Sequence, residues 1–299
     1  MLSSLPDKVL QCGAIFTSII IEALPFVLFG CLISGFLQIF LTPEKVRRIV
    51  PKNKFLSVLF GCILGLFFPS CECGIVPIVH RLLEKKVPNQ TAIAFLMTAP
   101  IINPVVVFST YIAFGNSLKF ALLRISGALF VSLIFCTYLA FFHSKTILKQ
   151  LEELPDNHVH HHVSQLKFSK KLWESLVHAV DEFFDTGRFL IFGALLASLM
   201  QVYIPTRFIS TLATNKLSAI LVLLLFAFVL SLCSEADAFI GSSLLSLFGT
   251  APIVAFLIFG PMVDIKNILM MNRFFKRKFT LQFVGATLVL TTIFALFIG

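Results

Sequence analysis

Two thiols and a carboxylate stand within three residues at Cys71-Glu72-Cys73, inside the run Pro69-Ser70-Cys71-Glu72-Cys73-Gly74. In a looped or extended Cys-x-Cys backbone both sulfurs can reach one soft ion or one thiophilic atom. Thiolate is the coordinating form, and apolar surroundings oppose it unless a cation binds; the plain alternative is two inert, buried thiols. A second acidic group, Ser234-Glu235-Ala236-Asp237, follows Cys233, and Asp264 lies further on. Glu72, Glu235, Asp237 and Asp264 fall in or beside apolar stretches, with Lys266 the nearest basic residue in sequence. An ionisable residue inside a membrane span is costly and marks a functional site by default. This set favours a proton or cation, and Cys71, Cys73, Glu72 and Glu235 are the candidate metal ligands. Two proline-broken motifs complete the set: Thr98-Ala99-Pro100-Ile101-Ile102-Asn103-Pro104 and Phe259-Gly260-Pro261-Met262-Val263-Asp264. A proline inside a helix removes one donor and frees a carbonyl to face a ligand. Such kinks also occur with no ligand, and Asp264 beside Lys266 could simply end a helix at the inner surface.

The segments that hold these residues are membrane segments. Of 299 residues 58% are hydrophobic and 13% charged, and 35 are Phe. A soluble domain carries about 25% charged residues, and disorder requires low hydrophobicity, so a water-soluble enzyme and a disordered chain are both excluded. The net charge of +9 does not point to nucleic acid, because the basic residues sit in short loops between apolar blocks, as the positive-inside rule describes. The seven cysteines lie mostly inside apolar segments and form no disulfide framework. The N-terminal MLSSLPDKVLQ has neither a charged n-region nor a small-residue cleavage site, so no cleaved signal peptide is expected.

Apolar blocks run over 10–41, 55–69, 74–83, 91–115, 117–142, 177–204, 217–233, 238–259 and 279–298. A polar stretch, 143–175, divides the chain into a first repeat, 1–142, and a second, 176–299. Phe26–Gly30 matches Phe189–Gly193 at an offset of 163 residues, and Glu72 falls on Glu235 at the same offset. Ala94–Asn103 matches Ala255–Asp264 at an offset of 161. The loop charges mirror this duplication. Segment 43–54 carries Lys45, Arg47, Arg48, Lys52 and Lys54, whereas 205–217 carries only Arg207 and Lys216. Arg81, Lys85 and Lys86 have no basic counterpart in 241–250, and Lys266, Arg273, Lys276, Arg277 and Lys278 have none in 103–117. The expected fold is therefore an all-α polytopic membrane protein of two inverted-topology repeats with broken helices. An inverted repeat needs an odd number of crossings, which requires 55–83 and 217–248 to be re-entrant hairpins. The competing count, eight ordinary spans in parallel repeats, leaves the mirrored charges unexplained. Loops 43–54, 81–90 and 264–278 and the linker are expected in the cytoplasm, and 205–217 and 241–250 outside.

Glu22 and Asp185 occupy equivalent places near helix ends, where a helix-start or gating role is expected, with Arg188 within reach of Asp185. The linker run His158-Val159-His160-His161-His162 could collect zinc or copper, though a histidine tract in a loop is weak evidence. No G-x-x-x-x-G-K-[ST] motif is present. Energy must then come from a gradient or a separate accessory subunit. No cofactor is expected.

In Pro-Ser-Cys-Glu-Cys-Gly, Thr-Ala-Pro-Ile-Ile-Asn-Pro and Phe-Gly-Pro-Met-Val-Asp-Ile-Lys-Asn, in that order, the chain resembles the predicted permease family that includes ArsP-type organoarsenical efflux permeases. The resemblance runs from about residue 15 to the C-terminus, broken by the linker, and implies a bacterial inner-membrane permease, not an enzyme. The matching positions are Cys71 and Cys73, Pro100 and Asn103, and Pro261, Asp264 and Lys266. The expected function is secondary transport of a small soft metalloid or metal species, with an organoarsenical as the first reading and a zinc-like cation as the second. A reading of another class is a membrane thiol–disulfide enzyme using Cys71 and Cys73.

Overall fold

A computed structural model describes residues 7–40, 49–68, 72–142, 147–149, 168–203 and 215–298. The first half supplies α1 (Asp7–Phe40), α2 (Lys54–Phe67), α3 (Glu72–Glu84), α4 (Asn89–Ile102), α5 (Pro104–Ala113) and α6 (Leu118–Phe142). The second half supplies α7 (Phe168–Tyr203), α8 (Lys216–Leu230), α9 (Ser234–Phe248), α10 (Thr250–Met262), α11 (Ile265–Phe274) and α12 (Arg277–Phe297). No strand occurs among the described residues; a single bridge joins Leu148 to Phe275. The chain is an all-α polytopic membrane protein.

Among the described residues six helical stretches are long and apolar enough to cross a bilayer, three in each half: Asp7–Gln38, Asn89–Ala113 and Leu118–Phe142, then Leu172–Tyr203, Thr250–Phe274 and Arg277–Phe297. At 1.5 Å per residue, the 14 residues of α2 and the 13 of α3 reach only about 20 Å each, short of the ~30 Å hydrocarbon core. The 15-residue helices α8 and α9 are equally short.

Two of the long stretches are bent, and the sequence says why. Pro100 precedes a break at Asn103, and Pro104 opens α5 as its first residue, where a missing N–H costs nothing. Asn103 leaves the helical region (ψ 150°), and its side chain accepts the Val106 amide at 3.0 Å, capping α5. Pro261 precedes the matching break, and Asp264 caps α11 by accepting the Asn267 amide at 2.5 Å. Within these two stretches an 18-residue apolar window is 78% and 89% buried, against 33–39% for the other four, which identifies α4–α5 and α10–α11 as the centre of the molecule.

Around that centre α2 packs on α4 and α6, and α8 on α10 and α12; α3 packs on α4, and α9 on α10. The two halves meet where α4 touches α10, α6 touches α12, α3 touches α11 and α5 touches α9. The helices α1 and α7 lie along one another in opposite directions, with Cys12 beside Ser198 and Ser34 beside Glu182. Gly30 permits the close seating of α1 on α3, because a Cβ there would stand 2.2 Å from the Gly74 carbonyl oxygen.

The polar connection differs from expectation at both of its ends. Residues 147–149 pair with the turn between α11 and α12, through Lys149 N–H to the Phe274 carbonyl (2.8 Å) and Lys276 N–H to the Ile147 carbonyl (3.0 Å), and Ile147 is buried. At the far end α7 is already helical at Phe168, inside the segment 143–175 that composition assigns to a linker. The histidine run 158–162 lies outside the described residues.

Candidate functional site

The short helices α3 and α9 both begin at breaks in the interior, and their first turns carry the acids. Glu72 opens α3 and is buried, and neither of its carboxylate oxygens has a hydrogen-bond partner. Its counterion arrives from the other half. Lys266, in the first turn of α11, sets Nζ 3.7 Å from Glu72 Oε1 and 3.6 Å from Asp264 Oδ2. The capping residue Asp264 and the opening residue of α3 thus share one buried ammonium. Sequence spacing placed Lys266 beside Asp264; only the fold places it beside Glu72.

The opposite break has a similar design with a cation the sequence reading passed over. Arg124, in the middle of α6, is 1% exposed. Its Nε donates to the Leu257 carbonyl (3.1 Å), one terminal nitrogen to Thr110 Oγ1 (2.7 Å) and the other to the Ser234 carbonyl (2.9 Å). One guanidinium therefore ties α6, α5, α10 and the start of α9 together, a geometry its planar fork can satisfy and an ammonium cannot. Asp237 and Glu235 lie within its electrostatic reach. Asp237 is buried, with Oδ2 unpartnered, and this oxygen stands where Gly260 leaves room: a Cβ on Gly260 would be 2.8 Å from it. Glu235, the formal counterpart of Glu72, is only half-buried, and Asp237 takes the interior position. The signal for Arg124 was available, since a lone arginine in a 25-residue apolar helix is itself a functional flag.

The remaining candidates divide between ligand-like and structural positions. Ser234 is buried with an unpartnered hydroxyl, so it faces the same interior space chemically uncommitted. Cys73 is buried in the core, whereas Cys71 lies outside the described residues. Thr98 spends its hydroxyl on the Ala94 carbonyl (2.7 Å). Asn103 spends its carbonyl oxygen on the α5 cap and its amide on the Ala99 carbonyl (3.0 Å). Both are thus committed to helix geometry at the break that contains Pro100, as Asp264 partly is at the break of Pro261. Glu22, expected near a membrane surface, instead meets the α8–α9 break, where the Cys233 thiol donates to Glu22 Oε1 at 2.5 Å. Asp185 pairs with Arg188, as their spacing suggests, and with Arg273 at 2.8 Å.

Chemically, three buried acids (Glu72, Asp237, Asp264) face two buried cations (Arg124, Lys266), so the acids outnumber the cations and several acceptor oxygens stay unpaired in low-dielectric surroundings. Such a set is stabilised by taking up a proton or small cation. Among the described residues no three His, Cys, Asp or Glu side chains converge as a metal-binding group.

A polytopic helical protein with broken spans and a buried, charge-unbalanced centre has the architecture of a membrane permease. Residues 8–299 match the family model described as a predicted permease, ArsP_1, and the chain belongs to that family. It is 56% identical over 295 residues, covering 99% of this chain and 97% of the relative, to a Streptococcus mutans protein named as a two-component membrane permease complex subunit. It is 49% identical over 282 residues, 94% of each chain, to the UPF0718 protein YcgR of Bacillus subtilis. A weaker match, 23% over 108 residues, covers 36% of this chain and 31% of the UPF0718 protein YraQ of Escherichia coli. No solved structure matches the chain.

Proposed function

We propose that this chain is the transporting subunit of a bacterial plasma-membrane permease, built from inverted repeats 1–142 and 176–299, that moves a small soft species past the two interior helix breaks on the energy of a gradient. The observation that carries this reading is the buried cluster where the first turns of α3 and α9 face Lys266 and Arg124 with unpartnered oxygens on Glu72, Ser234, Asp237 and Asp264. Helix ends pointing into a membrane protein's interior are where transporters bind ions and substrates.

Three features support inversion. Each half has three membrane-length stretches, an odd number. The equivalent helices α1 and α7 run antiparallel. The pairs α2–α3 and α8–α9, too short to cross, fit re-entrant hairpins covered by protein, as irregular backbone at membrane depth requires. With the basic loops inside, the linker is cytoplasmic.

The substrate class follows from the thiols. Cys71 and Cys73 flank Glu72 and Cys233 caps α9, so sulfur stands at both breaks. This suits a trivalent organoarsenical, with the carboxylates serving a coupling proton. The S. mutans relative's name gives grounds for a second subunit in the working complex. The test is competition between a phenylarsenical and zinc for purified protein. Cys71→Ser and Cys73→Ser remove arsenical binding almost entirely, because a hydroxyl is no substitute for a thiolate at a soft centre. Zinc binding that is only weakened by these changes, and weakened equally by Glu72→Gln and Glu235→Gln, would reassign the cargo to a divalent cation. Binding of neither, with both thiols reduced, would refute the soft-ligand reading.

A further inference from the structure

In a molecule of two equivalent halves, each helix contact has a counterpart. The contacts of α2, α4 and α6 are repeated by α8, α10 and α12, and α3 against α11 is repeated by α5 against α9. The rule fails at α1 and α7. Helix α1 packs on α3 and helix α7 packs on α11, but α7 does not pack along α9, nor α1 along α5, among the described residues. Burial records the same asymmetry. Every residue of α3 from Glu72 to His80 is buried, whereas α9 buries only Ser234, Asp237, Ala238 and Gly241. Helix α11 buries Ile265, Lys266, Asn267, Met270, Met271 and Phe274, whereas its counterpart α5 buries only Val106 and Thr110.

The covered end is fastened. Glu182 of α7 accepts from Ser34 of α1 (2.5 Å) and pairs with Arg81 of α3 (3.3 Å). Arg273 of α11 pairs with Asp185 of α7 (2.8 Å) and lies over the Phe189 ring, 5.9 Å from its centroid. Lys85, in the turn just after α3, donates to the Gln38 carbonyl of α1 at 2.6 Å. At the other end α1 stands off, and a groove of about 1110 Å³ runs between Val9, Gly13, Thr17 and Glu22 of α1 and Leu232 and Ala236 at the start of α9. The groove thus leads to the half-buried Glu235 and the Glu22–Cys233 contact.

We propose that this structure is one of two end states of the permease. It is sealed where α3 and α11 hold the α1–α7 pair and open where α5 and α9 are uncovered, with Arg81–Glu182 and Asp185–Arg273 as the clasp. The proposal rests on the two-repeat permease reading above. In the second state α1 seats on α5 and α7 on α9. The sequence register gives the new neighbours. Gly193, now against Lys266, moves to Asp237; Gly30, now against Gly74, moves to Val105; and Phe26 takes toward Ile112 the place that Phe189 holds toward Arg273. Val105 and Ile112, 50% and 46% exposed here, become covered. The α1–α7 contact is its own counterpart, so the pair moves as a unit, with ion pairs breaking at one end as apolar surface is buried at the other.

The test needs no substrate, so its failure is distinct from failure of the transport assignment. Cysteines placed at Phe26 and Ile112 of the full chain in native membranes, with single-cysteine controls, are treated with a short bifunctional thiol reagent. The intact clasp gives little cross-link. The charge-neutral pair Arg81→Gln/Glu182→Gln raises the yield about fivefold or more, the population change expected for loss of one or two such contacts. Glu182→Asp, which keeps the ion pair, does not. Asp185→Asn/Arg273→Gln tests the clasp independently should the first pair impair folding. A yield unchanged in both neutral backgrounds, or already high with the clasp intact, overturns the proposal.

Discussion

At the scale of single residues, the interior holds its charges by crossing them between halves. Lys266 of the second half neutralises the opening acid of α3, and Arg124 of the first half holds the opening turn of α9. Neither cation is solvent-exposed, so each is stabilised only by the oxygens it meets. Removing Arg124 takes a donor from the Leu257 and Ser234 carbonyls and from the Thr110 hydroxyl, which still donates to the Val106 carbonyl, and removes a positive charge that acts on Asp237. Arg124→Leu is therefore expected to cost about 3–5 kcal/mol, as loss of one member of a buried polar set does. Thermal unfolding in detergent checks this: the leucine variant melts well below the parent, and Arg124→Lys recovers only part of the difference. A leucine variant that melts with the parent would show that the guanidinium carries no structural burden. The acids were legible in the sequence because each stands beside a break rich in Pro, Gly, Ser or Cys. Arg124 was passed over although its signal was present, because two charges, Lys119 and Arg124, are lost in the mean hydropathy of a 25-residue apolar helix.

Among the elements, the boundaries of the apolar blocks and the two proline breaks were legible, since both depend on local composition. What each break does was not. Asn103 and Asp264 each also accept the amide three residues on, a capping role that the Asx-then-helix pattern alone could have suggested. Helix α7 begins at Phe168, inside the stretch that composition assigns to the linker, because low hydropathy does not separate polar helix from polar loop. The short helices give the sharpest topological expectation. If α2–α3 enters and leaves on one side, cysteines at Lys54 and Lys85 react with an impermeant maleimide from that side only. Cysteines at Lys216 and Phe248, flanking α8–α9, react from the other. Labelling of Lys54 and Lys85 from opposite sides would restore plain crossings and remove the inverted arrangement.

For the whole molecule, the proposed duplication would account for the way corresponding helices meet around α4 and α10, while α1 and α7 depart from that pattern. The matching segments around Gly30 and Gly193 are legible in the sequence, but which helix each glycine packs against, Gly74 for the first and Lys266 for the second, is set by the fold. On the proposed function, solute passes a buried acidic centre whose charge changes during the cycle. The most direct measurement is gradient-driven flux of a phenylarsenical into proteoliposomes, comparing the parent chain with Glu72→Gln. Glu72 is buried among the charges of both halves, and the substitution keeps its shape while removing its charge. The account predicts clear flux for the parent and loss of nearly all of it for Glu72→Gln, with the variant still folded and still binding the arsenical through its thiols. Undiminished flux in the Glu72→Gln protein would contradict it.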